Sequence, residues 1–375
     1  MDEHVTEPTT EAAVEAFIRE WRAAQASERA NGQAFVIGLT ELVGAATPGV
    51  ATGDVRRDAY VFERPVRFHD GPKESVGFAD LYKRGAVVLE TKQGVDAERA
   101  AQGKRQRKGH GVRGTGAWEA TMEAAKNQAA RYARNLEPAE PVPPFLAVVD
   151  VGHCVDLYAD FGGTGRLYAP FPSAETYRVH LDDLRDPAVR ERLRLVFEDP
   201  YALDPARRQA AVTQELAGRL ATIAASLDAD APDDEERGEQ TAGFLTRCLF
   251  CMFAEDAGLL PDRAFSQLLE AYRDRLDVLP SALSSFFRAM DEGGFVMGVD
   301  VTVPEFDGVL FRDRWAPELD RDQLDGLLAA AAMDWREVEP AIFGTLVERA
   351  LDPKKRRHMG AHFTPRAYVE RVIGP

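Results

Sequence analysis

Asp80, Glu90 and Lys92 are the residues whose types and spacing best suit phosphodiester chemistry. The stretch from Asp80 to Lys92 places apolar and β-branched residues on either side of a short Arg84-Gly85 turn, which predicts a β-hairpin. Side chains alternate faces along a strand, so Glu90 and Lys92 point the same way. An odd-length loop centred near Gly85 brings Asp80 opposite Glu90 and turns Leu81, Val87 and Leu89 into the core. Two carboxylates so placed can hold Mg²⁺, which generates hydroxide and stabilises phosphorane charge. Asp80 and Glu90 are the expected metal ligands, with the Thr91 carbonyl as a third, and Lys92 orients or activates the attacking water or neutralises the transition state. The spacing alone is weak, because acids and lysines are common and a charged strand face is ordinarily solvated.

The elements that must position these residues strengthen the pattern. Helical periodicity covers about 10–25 and 27–44. Strand-like runs follow at Ala59–Glu63, Val76–Tyr82 and Ala86–Gln93, then a helix at Ala117–Leu136 and a strand at Phe145–Val151. A second hairpin, Val155–Asp160 and Arg166–Ala169, is joined by the turn Gly162-Gly163-Thr164-Gly165. Gln128 and Tyr132 lie four apart and share a helix face.

This order of elements resembles the PD-(D/E)xK nuclease superfamily, an α/β core of a helix, a three-stranded meander, a helix and a further strand. Gln128-Ala129-Ala130-Arg131-Tyr132 looks like the Q-x-x-x-Y element of its RecB-like branch. Glu28, in Ser27-Glu28-Arg29, is a candidate additional acid from the first core helix.

A resemblance covering nearly the whole chain is to MmeI-type (Type IIL) restriction–modification proteins. It rests on Ser27–Phe35, Asp58–Glu63, Asp80–Gly85, Leu249–Asp256, Glu339–Leu346 and Gly360–Pro365, several blocks in the right order. In that family a nuclease-like domain precedes a helical spacer, an adenine-specific methyltransferase and a target-recognition domain, and related methylases occur in DISARM-type phage defence. The resemblance implies a nuclease-like domain over 1–185, an all-α spacer over 186–335, and the beginning of a methyltransferase over 336–375. His362, Phe363, Thr364 and Pro365 would then form part of an S-adenosylmethionine pocket. The cofactor loop D-P-A-C-G-S-G and the catalytic N-P-P-Y are absent, and none of Asn31, Asn127 and Asn135 precedes a proline. Methyl transfer is therefore expected only from a full-length protein that supplies the missing part.

A net charge of −16 is unusual for a chain that binds DNA. Binding depends on local patches, however, and the charge is unevenly distributed. Leu227–Gln240 carries Asp228, Asp230, Asp233, Asp234, Glu235, Glu236 and Glu239 against Arg237. Ala101–Thr115 carries Lys104, Arg105, Arg107, Lys108 and Arg113 with no acid and several glycines. The basic segment reads as a flexible loop able to clamp phosphates beside the metal site, or as a solvated loop.

With 375 residues, 45% of them hydrophobic, the chain is long enough for two or three domains with proper cores. No run is long and apolar enough to span a membrane, and the acidic start is not a signal peptide. Three cysteines suit a reducing cytoplasm. Cys248 and Cys251 lack a second pair or a nearby histidine for zinc and read as small hydrophobes on an apolar helix. Two functional classes remain. One is a Mg²⁺-dependent endonuclease domain of a bifunctional restriction enzyme and site-specific adenine methyltransferase. The other is a non-catalytic arm of such a methyltransferase, contacting double-stranded DNA or docking other defence-system subunits.

Overall fold

The computed structural model describes residues 10–24, 28–68, 75–96, 111–227, 235–306, 309–335 and 338. The chain forms two compact units, Met1–Asp204 and Pro205–Pro375. The first unit is a three-layer α/β assembly. Helices α1 (Glu11–Ala23) and α2 (Glu28–Leu42) precede strands β1 (Tyr60–Phe68), β2 (Ser75–Lys83) and β3 (Val87–Lys92). Helix α3 (Gly116–Arg134) leads to β4 (Phe145–Asp150), β5 (Cys154–Ala159) and the short β6 (Ala169–Pro170) and β7 (Arg178–His180). Sheet order is β1-β2-β3-β4-β5-β6, with β7 also on β5, and every pairing is antiparallel except β3 with β4.

The parallel pair explains the pattern of the two central strands. A parallel connection needs a crossover, which α3 supplies, and a sheet so wrapped has no wet face. Accordingly β4 is buried along its whole length, and β3 is buried everywhere but at Lys92. On one face Leu81, Val87, Leu89, Phe145, Ala147 and Val149 pack with α1 and α2. On the other, Tyr82, Val88, Leu146 and Val148 meet α3, whose Ala125, Ala129 and Ala133 allow close approach. The expected inward orientation of Leu81, Val87 and Leu89 is therefore observed.

The first unit extends beyond the expected boundary at 185. Helix α4 (Pro187–Glu198) starts on the Asp186 N-cap, and Leu193, Val196 and Phe197 join the core that holds Val155 and Leu157. Glu198 Oε1 also accepts hydrogen bonds from the Ala46 amide (2.8 Å) and Lys83 Nζ (3.0 Å). Asp186-Pro187 is a strong helix start, so it resembles a domain break in one dimension.

The second unit is mostly helical, with α5 (Pro205–Leu227), α6 (Glu235–Asp256), α7 (Ala264–Ala271), α8 (Leu279–Glu292) and α9 (Arg321–Ala331). The expected all-α spacer is corrected by one hairpin, β8 (Gly294–Val296) with β9 (Val301–Val303). Gly293, at φ 69°, ends α8 in the left-handed region, and the alternating Val301-Thr302-Val303 favours a strand. Cys248 and Cys251 are fully buried in α6 among apolar residues. No helix among the described residues is long and apolar enough to cross a membrane. His362, Phe363, Thr364 and Pro365, and all of 336–375 except Val338, lie outside the described residues.

Phe197→Ala should destabilise the first unit by about 3–5 kcal/mol, the range for emptying a buried aromatic site. Urea unfolding with hydrogen exchange should place the loss in residues 10–204. Unchanged protection of β4 and β5 would show that α4 is not part of that core.

Candidate functional site

The hairpin β2–β3 has the expected odd loop. Lys83 pairs with Val87 across Arg84, Gly85 and Ala86, and Gly85 takes φ 66°. The ladder runs through Leu81↔Leu89 and then stops, one step short of Asp80 and Glu90. At that level β1 and β2 both turn over. Phe62 and Leu81 face the α1–α2 side, whereas further along the ribbon Val66, Phe68 and Ala79 lie on the α3 side. Strict alternation would keep Leu81 and Ala79 on one face. The cause is at Glu63, opposite Asp80 in the register, which has φ 50° and breaks the β1–β2 pairing there.

The consequence is that the Asp80 side chain takes the place of a ladder partner. Its Oδ2 accepts from the Thr91 amide (2.6 Å) and from Thr91 Oγ1 (2.7 Å). Lys92 Nζ donates to the Thr91 carbonyl (2.8 Å) and to Glu90 Oε2 (3.3 Å). Asp80, Glu90 and Lys92 thus gather around Thr91, at the point where β2 and β3 diverge. Gly32 of α2 covers the other side, where a Cβ would lie 3.3 Å from Thr91 Oγ1. A glycine within a helix costs about 1 kcal/mol relative to alanine, so its presence was the one available sign of that approach.

Glu90 is the unusual member. Its side chain is 1% exposed, Lys92 pairs with one oxygen, and the other, Oε1, has no hydrogen-bond partner among the protein atoms. Burial, with the Asp80 charge added, pushes its pKa up from 4.5 to about 8, against the opposing pull of Lys92. The α3 pair also reaches this place. Gln128 Nε2 donates to Tyr132 Oη (3.2 Å), and the phenol is held neutral by burial and by the nearby charges of Glu90 and Asp80. The Tyr132 ring stacks on Phe68 and lies against Gly77, where a Cβ would come within 2.7 Å of it. Glu28 begins α2, and the placement of its side chain lies outside the described residues.

Lys104, Arg105, Arg107 and Lys108 also lie outside the described residues, but the two ends of their segment do not. Val95 and Val112 form a parallel bridge, with Val95 N donating to Gly111 O (3.1 Å) and Arg113 N to Val95 O (3.0 Å). Arg113, the last basic residue of the segment, is engaged within the protein. Its guanidinium is spent on Asp150 (2.8 and 2.9 Å), Asp96 (3.0 Å) and the Val151 carbonyl (3.1 Å). Asp150, buried on β4 beside Lys92, also accepts from Trp118 Nε1 and the Gly94 amide. Gly111 serves packing rather than flexibility, since a Cβ there would sit 2.5 Å from the Trp118 backbone.

A carboxyl group raised in the folded state stabilises the fold below its unfolded pKa and loses that contribution as pH rises through the folded value. Between pH 4.5 and about 8, Glu90 should therefore cost wild-type stability progressively. Glu90→Gln should gain on wild type across that window in urea midpoints. Parallel curves for the two proteins would show Glu90 ionised throughout.

Residues 9–230 match the family described as MmeI, N-terminal domain, and residues 239–311 match the MmeI, helicase spacer domain. DNA methyltransferase A of Bacillus subtilis (strain 168) is 26% identical over 138 residues, covering 35% of this chain and 16% of that protein. A solved structure of the Type IIL restriction-modification enzyme MmeI in complex with DNA is 25% identical. It covers 43% of this chain and 22% of that one, at a TM-score of 0.34, too low to bear on the fold. The chain thus spans less than a quarter of either relative's length. With more than half of its residues inside the first match, the chain belongs to the MmeI N-terminal domain family, with an MmeI spacer segment following.

Proposed function

We propose that the first unit is a Mg²⁺-dependent DNA endonuclease domain of a restriction–modification or phage-defence protein, built on a PD-(D/E)xK-like core. The observation that carries this is the buried, unpartnered Glu90 Oε1 beside Asp80 and Lys92 at one strand divergence. The order α2–β1–β2–β3–α3–β4, with β3 parallel to β4, supports it. So does membership of the MmeI N-terminal domain family, since MmeI itself is a Type IIL restriction-modification enzyme solved in complex with DNA.

The donor set fits the metal. Among the described residues no group of three or more His, Cys, Asp or Glu side chains converges. Mg²⁺ is commonly held by only one or two carboxylates together with substrate phosphate oxygens and water. Asp80, Glu90 and the Thr91 carbonyl would hold it. When bound, the ion supplies a water of lowered pKa and charge stabilisation on the phosphoryl oxygens. Asp80 is oriented by its two Thr91 bonds, which leave Oδ1 for a ligand. Glu90 would offer Oε1 to the cation as a carboxylate, a state that burial disfavours without a compensating charge. Lys92, fixed by the Thr91 carbonyl, would orient or activate the attacking water or neutralise the transition state. Packing of α3 over β3 excludes bulk water from Glu90.

The test uses a protein carrying this chain together with methyltransferase and target-recognition domains. Asp80→Ala and Lys92→Ala should each lower Mg²⁺-dependent cleavage by about 100-fold or more while methylation persists. Loss of both activities together would indicate a folding defect. Undiminished cleavage would leave the non-catalytic, DNA-contacting arm as the better description.

A further inference from the structure

Away from Asp80 and Glu90, the outer part of the β1–β2 ribbon borders an open groove of about 810 Å³. Its lining includes Arg56, Arg64, Arg67 and Arg84 against the carboxylates of Glu137 and Glu140. The chain as a whole carries −16, so four guanidiniums around one groove are not an average sample of its surface.

Two of the arginines are built into the wall. Arg64, only 2% exposed, donates to the carbonyls of Val55 (2.6 Å) and Asp58 (2.8 Å) and to Glu140 Oε1 (2.6 Å). Arg84 donates to the carbonyls of Val55 (3.1 Å) and Arg56 (2.9 Å) and to the same Glu140 oxygen (3.2 Å). Tyr82 Oη donates to the other Glu140 oxygen at 2.9 Å. One carboxylate therefore answers two cations, and neutral carbonyls do the rest. Both Arg64 Nε and Arg84 Nε are buried without a hydrogen-bond partner. Of the nearby acids, Asp54 pairs with Arg57, whereas Asp58, held by Thr52 and Gly53, sets one further negative charge near Arg64. Arg56 and Arg67 are exposed at the rim. Against Arg56, Arg64, Arg67 and Arg84, the charges of Glu137, Glu140 and Asp58 leave one guanidinium in excess, more than the partial negative charge that the carbonyl end of α3 adds.

A fixed excess of planar, permanently charged donors around a concave surface selects phosphate, whose oxygens match the guanidinium fork. We propose that this groove is a phosphate-binding site separate from the Asp80–Glu90–Lys92 cluster. We take the sugar–phosphate backbone of DNA as its source of phosphate, with Arg56 and Arg67 as the movable contacts and Arg64 and Arg84 as the fixed field beneath them. The choice of DNA rests on the function proposed above; the phosphate chemistry does not.

The experiment compares the purified chain with its Arg56→Ala/Arg67→Ala variant, both exposed positions, using a duplex of arbitrary sequence over a salt series and inorganic pyrophosphate alone. Loss of two phosphate contacts should lower the magnitude of the slope of log affinity against log salt by about 1.8, at about 0.9 per contact. Arg56→Lys/Arg67→Lys should restore most of it. An unchanged slope with pyrophosphate binding lost in the alanine variant would keep the site but assign it to a free phosphate compound. Unchanged behaviour towards both probes, or binding of neither by wild type, would overturn the proposal. Pyrophosphate reads the groove without DNA or cleavage, so a failed nuclease and a failed phosphate groove give different results.

Discussion

Strand β3 is covered by helices on both faces, and the rest of the first unit is arranged around that constraint. Within such a strand a charged side chain has little access to bulk water, and only Lys92 at its end is partly exposed. Yet β3 ends in Glu90-Thr91-Lys92. Burying an isolated carboxylate is costly enough that the group ordinarily keeps its proton or acquires a partner. Glu90 does some of each: Lys92 takes one oxygen, and burial raises its pKa to about 8. What is left over is a buried oxygen with no hydrogen-bond partner among the protein atoms.

The other deeply buried carboxylates have been dealt with differently. Asp150 is enclosed by Arg113, Trp118 and the Gly94 amide. Asp156 receives a two-pronged contact from Arg178, which also holds Glu119. Asp58 and Glu255 accept from backbone amides and hydroxyls. Ion pairs of this kind add little net stability, but removing one partner strands the other, which is why they behave as fixed parts of the frame. Among the described residues, only Glu90 is a carboxylate with a buried, unsatisfied oxygen. That contrast sets Glu90 apart from the carboxylates of the scaffold. It also places Arg113 on the scaffolding side, where it holds together the two ends of the basic segment three residues beyond Lys92.

The face change at Glu63 and Asp80 is the second structural commitment. A positive φ in a residue other than glycine costs roughly 1–3 kcal/mol and persists only where the surroundings enforce it. Here it frees β2 from β3 at Asp80, so the Thr91 amide needs another acceptor and finds the Asp80 carboxylate. Beyond that point Ala79, Val66 and Phe68 can pack under α3. One distorted residue thus opens the strand pair, orients an acid and completes a core.

Much of this was legible in the chain itself. Strand and helix periods are local properties, so the order of elements, the odd hairpin loop at Gly85 and the shared face of Glu90 and Lys92 followed from residue types alone. So did the helical spacing of Gln128 and Tyr132. Other features depend on what distant segments place alongside. Alternation could not show that β1 and β2 reverse faces at Glu63, because that reversal is a backbone conformation stabilised by two cores. Charge composition could not show that Arg113 is consumed by Asp150, 37 residues away. The boundary expected at 185 would cut off Leu193, Val196 and Phe197, which complete the sheet's cover from a helix that only the tertiary structure places there. Sequence determined which groups could do chemistry. Tertiary structure decided which of them are buried, and burial is what turns an ordinary glutamate into one that holds its proton near neutral pH.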